Sequence, residues 1–359
     1  MYQAEHVVIG PVNHSCSMKV ADQSQCSNRV SGHLCSCSFC GSRKGTAGRW
    51  WFTEPPINKL DCDVSVPIQM FHGLSNDFLY SAYKVEVVFR DEIGNQKCGH
   101  GTGFFVVNDS GILHFITNRH IVDITYRPAD DKDYSKFHLV SLSISGKAKD
   151  PQTGLPSLTF ASQIIESDLR FSEKVENDIA CLANFKIEAE RSACSRVDFF
   201  IPIGFLATEA SFANDLSICD FLAFPGYPEW HDRASKRPIL RMGTLSSDPR
   251  YSYQYKDQVK GDCLAYEAYS FGGSSGSPVF ALQKGLRPGA GIEFDGFRDV
   301  LLVGINAGHL TTPGNGAHSG ISYLYKSTAI RELLGQESNI KIQKTGAEEV
   351  DVAEASTRF

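Results

Sequence analysis

The sequence lacks a long hydrophobic run and an excess of basic charge. None of its apolar stretches approaches the roughly 18 residues that a membrane-spanning helix needs. The formal net charge of −6 at pH 7 argues against a basic surface for nucleic acid. The opening residues, MYQAEHVVIGPVNHSCSMKV, lack the basic and then apolar segments of a signal peptide. We therefore expect a cytoplasmic protein that acts neither on nucleic acid nor at a membrane.

Cysteine is plentiful but unevenly spread. Five of the 11 cysteines lie in the first forty residues: Cys16, Cys26, Cys35, Cys37 and Cys40. The other six are scattered singly, mostly among apolar residues, as in DIACLA and LSICDFLAF. In a protein that is not exported, such cysteines behave as small buried side chains with free thiols. We expect no disulfide framework.

The segment HLCSCSFC raises the question of a metal. It contains Cys35, Cys37 and Cys40, and structural zinc sites favour pairs of the form C-x2–4-C. Only Cys37 and Cys40 follow that spacing, and no second clean pair accompanies them. We expect no cofactor, with zinc at these three cysteines as the open alternative.

Composition changes twice along the chain. Residues 1–60 are rich in Ser, Cys and Gly, which predicts an N-terminal extension, either disordered or a small metal module. Residues 75–335 consist of short apolar stretches rich in Val, Ile, Phe and Tyr between turn residues, which is typical of an all-β barrel or sandwich. A helix is predicted for 325–335, in YKSTAIRELLGQ, and an acidic tail for 336–359.

The stretch AYSFGGSSGSPVFAL (268–282) contains three serines that could act as nucleophiles in two different folds. Gly272, Ser274 and Gly276 match G-x-S-x-G, the nucleophile turn of α/β-hydrolases, which requires a helix directly after the serine. Pro278 opposes such a helix, and PVFAL is strand-like. The second interpretation places Ser275 in a tight turn between strands, with the amides of Gly273 and Ser275 converging as an oxyanion hole. In this interpretation Gly276 removes side-chain bulk beside the hydroxyl of Ser275.

A serine nucleophile needs a base and a carboxylate that orients the base. His120 follows a strand–turn–strand pattern in GTGFFVVNDSGILHFITNRHIV, and Asp178 precedes the strand in NDIACL. The chain order is therefore His, Asp, Ser. This order favours His120 as base, Asp178 as its orienting carboxylate and Ser275 as nucleophile.

These segments, together with PILRMGTLSS and VLLVGINAGH, resemble a trypsin-like serine protease of the disulfide-free bacterial type. The similarity is to the catalytic domains of the high-temperature-requirement proteases and covers roughly residues 78–335. The resemblance implies two perpendicular six-stranded β-barrels with a C-terminal helix, barrel one at about 78–205 and barrel two at about 206–324. It also implies a triad of His120, Asp178 and Ser275 in the cleft between the barrels.

The resemblance also indicates a substrate pocket. Its base falls at Tyr269, which is not acidic, so a trypsin-like preference for Lys or Arg is not expected. Ala307, Gly308 and His309 would line the same pocket. The residues faintly resemble glutamyl endopeptidases, in which a pocket histidine receives an acidic side chain, and this makes a preference for Glu a hypothesis.

We therefore expect a metal-independent serine endopeptidase that forms an acyl-enzyme on protein or peptide substrates, with a regulatory protein as a further partner. The alternative from another class is a catalytically silent pseudoprotease that binds a peptide or partner in the same cleft.

Overall fold

The computed structural model describes residues 74–127, 133–190, 193–256, 259–285, 297–314 and 316–335, together with the backbone of 340–343. All of them belong to one compact unit, Pro67–Phe359. The predicted extension at 1–60 lies outside the described residues, as does the predicted tail at 336–359 apart from 340–343. No helix of the described part is both long and apolar enough to cross a membrane.

The first half of this unit forms a closed antiparallel barrel. Its strands are β1 (Ala82–Arg90), β2 (Gln96–Val107), β3 (Leu113–Thr117), β4 (His138–Ala148), β5 (Leu158–Phe171) and β6 (Ala180–Ala189). The order around the barrel is β1-β4-β5-β6-β3-β2, and pairing of β1 with β2 closes it. A short strand, β7 (Ile201–Pro202), pairs in parallel with the end of β2, beyond the residues of β2 that pair with β1.

The second half forms another closed antiparallel barrel of six strands. They are β8 (Phe221–Gly226), β9 (Ile239–Leu245), β10 (Cys263–Glu267), β11 (Pro278–Ala281), β12 (Leu301–Thr311) and β13 (His318–Lys326). The order around this barrel is β10-β13-β12-β11-β8-β9. A further strand, β14 (Ile340–Gln343), pairs with β5 of barrel one.

The continuous apolar runs in β2 and β3 are explained by burial on both faces of barrel one. Successive side chains of a strand point to opposite faces. Phe105 and Phe115 accordingly lie in the interior of barrel one, whereas their neighbours Phe104 and Ile116 pack in a second cluster that includes Ile305 of barrel two. The two barrels therefore share one continuous apolar interface.

Four α-helices and one 3₁₀ helix (Ile203–Phe205) complete the described part. The α-helices are α1 (Asn76–Tyr80), α2 (Arg119–Val122), α3 (Glu209–Asn214) and α4 (Ser327–Gly335). The last helix places Ala329, Ile330 and Leu333 in the interface between the barrels, and the Ser327 hydroxyl donates to the carbonyl of Ala207 at 2.8 Å. Two six-stranded barrels with a C-terminal helix confirm the all-β, chymotrypsin-like fold that the resemblance implies.

The prediction that the scattered cysteines are buried is wrong for two of them. Cys181 and Cys263 are buried free thiols, but Cys98 and Cys219 are exposed, and Cys194 is half-buried. Cys98 lies on a hairpin arm that extends beyond the core, and Cys219 occupies a turn with φ of 67°. Within the described residues no group of three His, Cys, Asp or Glu side chains could hold a metal ion. Cys35, Cys37 and Cys40 lie outside them, so the zinc alternative stays untested.

Candidate active site

Asp178 holds His120 at two points. The chain leaves β3 at Thr117 and begins α2 at Arg119, so His120 lies at the mouth of barrel one. Its backbone N–H donates to Oδ1 of Asp178 at 2.9 Å, and its Nδ1 lies 2.5 Å from Oδ2. The side-chain amide of Asn118 donates to the carbonyl oxygen of Asp178 at 2.6 Å. Both the position and the rotation of the imidazole are therefore fixed.

The electrostatics of this pair suit a proton acceptor. Because Nδ1 faces a carboxylate, it carries the ring proton and leaves Nε2 with its lone pair. Burial disfavours the charged imidazole, but the negative charge of Asp178 and its hydrogen bond outweigh burial, so the pKa of His120 is raised above its ordinary value. The imidazolium formed when Nε2 takes a proton is thus stabilised.

Ser275 lies in a pair of consecutive tight turns, 271–274 and 274–277, which we call the nucleophile turns after the predicted role of Ser275. The N–H of Ser274 donates to the carbonyl of Phe271 at 2.9 Å, and the N–H of Ser277 donates to the carbonyl of Ser274 at 3.1 Å. The third residue of each turn is a glycine, Gly273 or Gly276, with φ of 88° or 87°. This is the pattern of a type II turn, which requires a positive φ at that position.

Neither glycine can be replaced without moving the backbone. A Cβ on Gly273 would collide with the carbonyl oxygen of Tyr227, and a Cβ on Gly276 would collide with that of Thr102. The requirement at Gly276 is therefore for a left-handed conformation and close approach of barrel one, in addition to the space beside the hydroxyl of Ser275 that the sequence suggested.

Thr102 of β2 connects barrel one to the nucleophile turns by hydrogen bonds. Its N–H donates to the carbonyl of Ser275 at 2.8 Å, and its hydroxyl donates to the carbonyl of Gly273 at 2.7 Å. The same hydroxyl accepts from the N–H of Tyr227 at 3.0 Å. Since Thr102 pairs with β3 through the hydroxyl of Thr117 at 2.8 Å, the nucleophile turns are tied to the strand that leads into His120.

Asn306 of β12 is a residue of the candidate site that the sequence reasoning missed. Its side-chain amide donates to the carbonyl of Ser274 at 2.8 Å, and its side-chain oxygen accepts from the hydroxyl of Tyr266 at 2.7 Å. A trans peptide points its C=O and N–H in opposite directions. Asn306 therefore aims the N–H of Ser275 away from the strand. Its only sequence signal is one buried amide inside an apolar strand, VLLVGINAGHL.

Ser274 and Ser275 differ in where their hydroxyls lie. The Ser275 hydroxyl is partly exposed and donates to the carbonyl of Ala307 at 3.3 Å. Ser274 is buried, and its hydroxyl has no partner among the described residues. A strand, β11, follows the serines instead of the helix that a hydrolase nucleophile turn needs. The structure therefore favours Ser275 as the reactive serine.

The four predicted pocket residues differ in their exposure and in the groups they contact. Tyr269 is 58% exposed, whereas Ala307 is buried. Gly308 leaves room for the hydroxyl of Tyr323, which a Cβ would approach to 2.9 Å. His309 stacks on His318 with ring centroids 4.1 Å apart. His318 is a further residue of this region that the pocket prediction did not include.

A cleft of about 830 Å³ adjoins the nucleophile turns. It runs from Gly272 and Tyr227 past the hairpin of β1 and β2, at Lys84 and His100, to the segment after β8, at Glu229. Charged side chains of both signs line it, so it is polar along much of its length.

Comparisons with known proteins place this architecture among solved structures. No protein-family model matches the sequence, and no curated protein matches it. Three similar solved structures are Deg5 (17% identity, 70% of this chain and 86% of that chain, TM-score 0.37), the active form of the Rv3671c protease from M. tuberculosis (15%, 73% and 84%, 0.38), and the thermostable serine protease AL20 from an extremophilic microorganism (15%, 71% and 95%, 0.40). At these identities and scores, what the chain does has to be inferred from its own residues.

Proposed function

We propose that the protein is a serine endopeptidase that uses Ser275, His120 and Asp178. The observation that carries this proposal is the two-point hold of Asp178 on His120, which leaves Nε2 of His120 free to accept a proton. A serine hydroxyl is inert at its own pKa and needs such a base. A histidine with only a packing role would not need a buried carboxylate that contacts both its backbone N–H and its ring nitrogen.

The reaction follows from these groups. The Ser275 oxygen attacks the carbonyl carbon of a peptide bond while its proton passes to Nε2 of His120. The resulting oxyanion accepts hydrogen bonds from the N–H groups of Gly273 and Ser275. His120 then gives its proton to the departing amine, leaving an ester on Ser275. Water, deprotonated by His120, releases the acid and restores the hydroxyl.

The surroundings of Ser275 support cleavage within a chain rather than at its end. The cleft beside Gly272 and Tyr227 is large enough for several residues beyond the scissile bond. On the other side, the edge of β12 turned away from β13 has no strand beside it after Asn306 among the described residues. An extended peptide can add to such an edge through its backbone.

A fluorophosphonate probe tests the proposal, because it bonds to serines that are activated as nucleophiles. The purified protein and its Ser274→Ala variant should both be labelled, with the adduct on Ser275 by mass spectrometry. The Ser275→Ala and His120→Ala variants should not be labelled. Hydrolysis of a denatured protein substrate should follow the same pattern. An adduct on Ser274 would contradict the assignment.

The alternative function is a silent scaffold that binds peptides in the same cleft. The Ser275 hydroxyl donates to Ala307 and must rotate toward Nε2 of His120 before it can react. A folded protein that binds peptides but shows neither labelling nor hydrolysis would support the scaffold and contradict the endopeptidase.

A further inference from the structure

A compact group of rings and one guanidinium lies beside the nucleophile turns. His309 of β12 stacks on His318 of β13 at 4.1 Å, and His318 in turn contacts Tyr269 at 4.8 Å between ring centroids. The guanidinium of Arg241, from β9, lies 4.5 Å from the ring centroid of Phe271. We call these five residues the Arg241 cluster.

The Arg241 cluster is linked to Ser275 by two short stretches of chain, one through Phe271 and one through His309. The carbonyl of Phe271 accepts from Ser274, the residue before the nucleophile. Ala307, two residues before His309, accepts from the Ser275 hydroxyl. A peptide that lies along the open edge of β12 with its carbonyl carbon at Ser275 would therefore place the preceding side chain against this cluster.

The charge of the cluster is unbalanced. No carboxylate among the described residues pairs with Arg241, whose Nη1 donates to the carbonyl of Tyr269 at 2.6 Å. Its Nε is buried and has no hydrogen-bond partner among the described residues. Burial lowers the pKa of Arg241, and burial followed by the charges of His309 and Arg241 lowers that of His318. The cluster thus holds a guanidinium with no counter-ion beside two histidines.

The two histidines have different roles. The N–H of Gly320 donates to Nδ1 of His318 at 2.8 Å, and Nε2, which carries the ring proton when Nδ1 accepts, lies 3.2 Å from the backbone nitrogen of Ser270. Backbone groups therefore lie against both ring nitrogens of His318, and we assign it as a positioning residue on which His309 stacks. The ring nitrogens of His309 make no hydrogen bond to any residue that the structure describes.

We infer that the enzyme cleaves after acidic residues, and that the substrate's side-chain carboxylate is bound by His309 and Arg241. A carboxylate has two oxygens that accept hydrogen bonds, and its charge supplies the counter-ion that Arg241 lacks. This inference rests on the proposed function. It adds to the sequence-based hypothesis about His309 a second binding group, Arg241, and a positioning residue, His318.

Matched peptides test the inference. They differ only in the residue before the scissile bond, which is Glu, Asp, Gln, Val or Lys. We expect kcat/KM to be at least tenfold higher for Glu or Asp than for Gln, since Gln matches the shape of Glu without its charge. His309→Gln and Arg241→Met should each remove at least tenfold of that advantage. His138→Gln is the control, because His138 is exposed on β4 of barrel one.

Two further measurements separate the possible failures. Fluorophosphonate labelling of Ser275 should be unchanged in the His138→Gln control. In the His309→Gln and Arg241→Met proteins, the labelled fraction measures how much of each sample has folded and reactive turns, and kcat/KM is expressed per labelled site. Phosphonate esters that carry a Glu-like or a Gln-like side chain report the same preference without turnover. Normal labelling with equal reactivity toward Glu and Gln would overturn the acidic preference and leave the proposed function intact. No labelling of the unmodified protein would contradict the proposed function and, with it, this inference.

Discussion

The side-chain amide of Asn306 donates to the carbonyl oxygen of Ser274 at 2.8 Å, and this bond orients the peptide whose N–H belongs to Ser275. One buried side chain on β12 thereby controls one of the two donors proposed for the oxyanion hole. The hydroxyl of Tyr266 holds the other end of the same amide at 2.7 Å, so the amide cannot rotate freely.

Replacing Asn306 should therefore lower kcat more than it raises KM. In Asn306→Leu the carbonyl of Ser274 loses this donor, and we expect kcat to fall by about 10²-fold, as for the loss of an oxyanion donor. Steady-state kinetics on one peptide measure both constants. Tyr266→Phe is the matched control, because it leaves the bond from Asn306 to Ser274 in place and should cost less. Equal losses in the two variants would argue against a specific role for that bond.

Replacing Asp178 by Asn should nearly abolish activity without unfolding the protein. The Asn oxygen can still accept from the backbone N–H of His120, but its NH₂ would face Nδ1 and force the ring proton onto Nε2. That tautomer cannot accept a proton from Ser275, and we expect a fall in kcat of about 10⁴-fold. Circular dichroism and thermal unfolding should be close to those of the unmodified protein. Retention of more than a tenth of the activity would contradict the assigned role.

The dependence of activity on pH follows from the same pair. His120 must be neutral to act as a base, so activity is lost when it is protonated. Although burial opposes the charged form, Asp178 raises the pKa of His120. The acid limb of kcat/KM should therefore have its midpoint above about 6.5, the ordinary value for histidine. The rate of fluorophosphonate labelling as a function of pH measures it, and a midpoint below 6.5 would be inconsistent with this pairing.

Asn177, the residue before Asp178, should be important for stability. It is buried, its side-chain oxygen accepts from the N–H of Asp262 at 2.9 Å, and its amide donates to the carboxylate of Asp262 at 3.0 Å and to the hydroxyl of Ser172 at 3.2 Å. Asn177→Ala leaves these groups unsatisfied and should lower the free energy of unfolding by about 2 kcal/mol.

Denaturant unfolding of the Ser275→Ala protein, with and without Asn177→Ala, measures this change free of self-cleavage. Asn95→Ala is the matched control, since the amide of Asn95 bonds to Asp91 at the exposed end of a hairpin. A loss no larger than that of the control would show that the contact between Asn177 and Asp262 contributes little.

The fold, the candidate triad and the predicted substrate pocket differ in how far the sequence could predict them. Short apolar stretches predicted an all-β barrel or sandwich, because the pattern of a strand is local. The two barrels were implied by the resemblance to trypsin-like proteases, and the pairing of His120 with Asp178 by that resemblance and by the order of His, Asp and Ser. Asn306 was missed because a buried polar residue gains meaning only from the group it meets, which here is 32 residues away in the chain. Cys98 was misjudged because the hairpin arm continues past the core.

The pocket shows the same limit. The resemblance to trypsin-like proteases could nominate Tyr269, from its distance to Ser275, and His309, from its strand. Arg241 and His318 come from other strands and meet them only in the folded barrel. Gly276 illustrates a partial success. Its small size was expected, whereas the positive φ and the approach of Thr102 could be known only from the structure.

Thr102 makes catalysis a sensitive reporter of how the two barrels are docked. This one residue of barrel one holds the carbonyls of both Gly273 and Ser275 in barrel two. A slight parting of the barrels, too small to melt any strand, would release both carbonyls together and let the oxyanion donors turn away. On gentle heating or in dilute denaturant, activity should therefore disappear before secondary structure does.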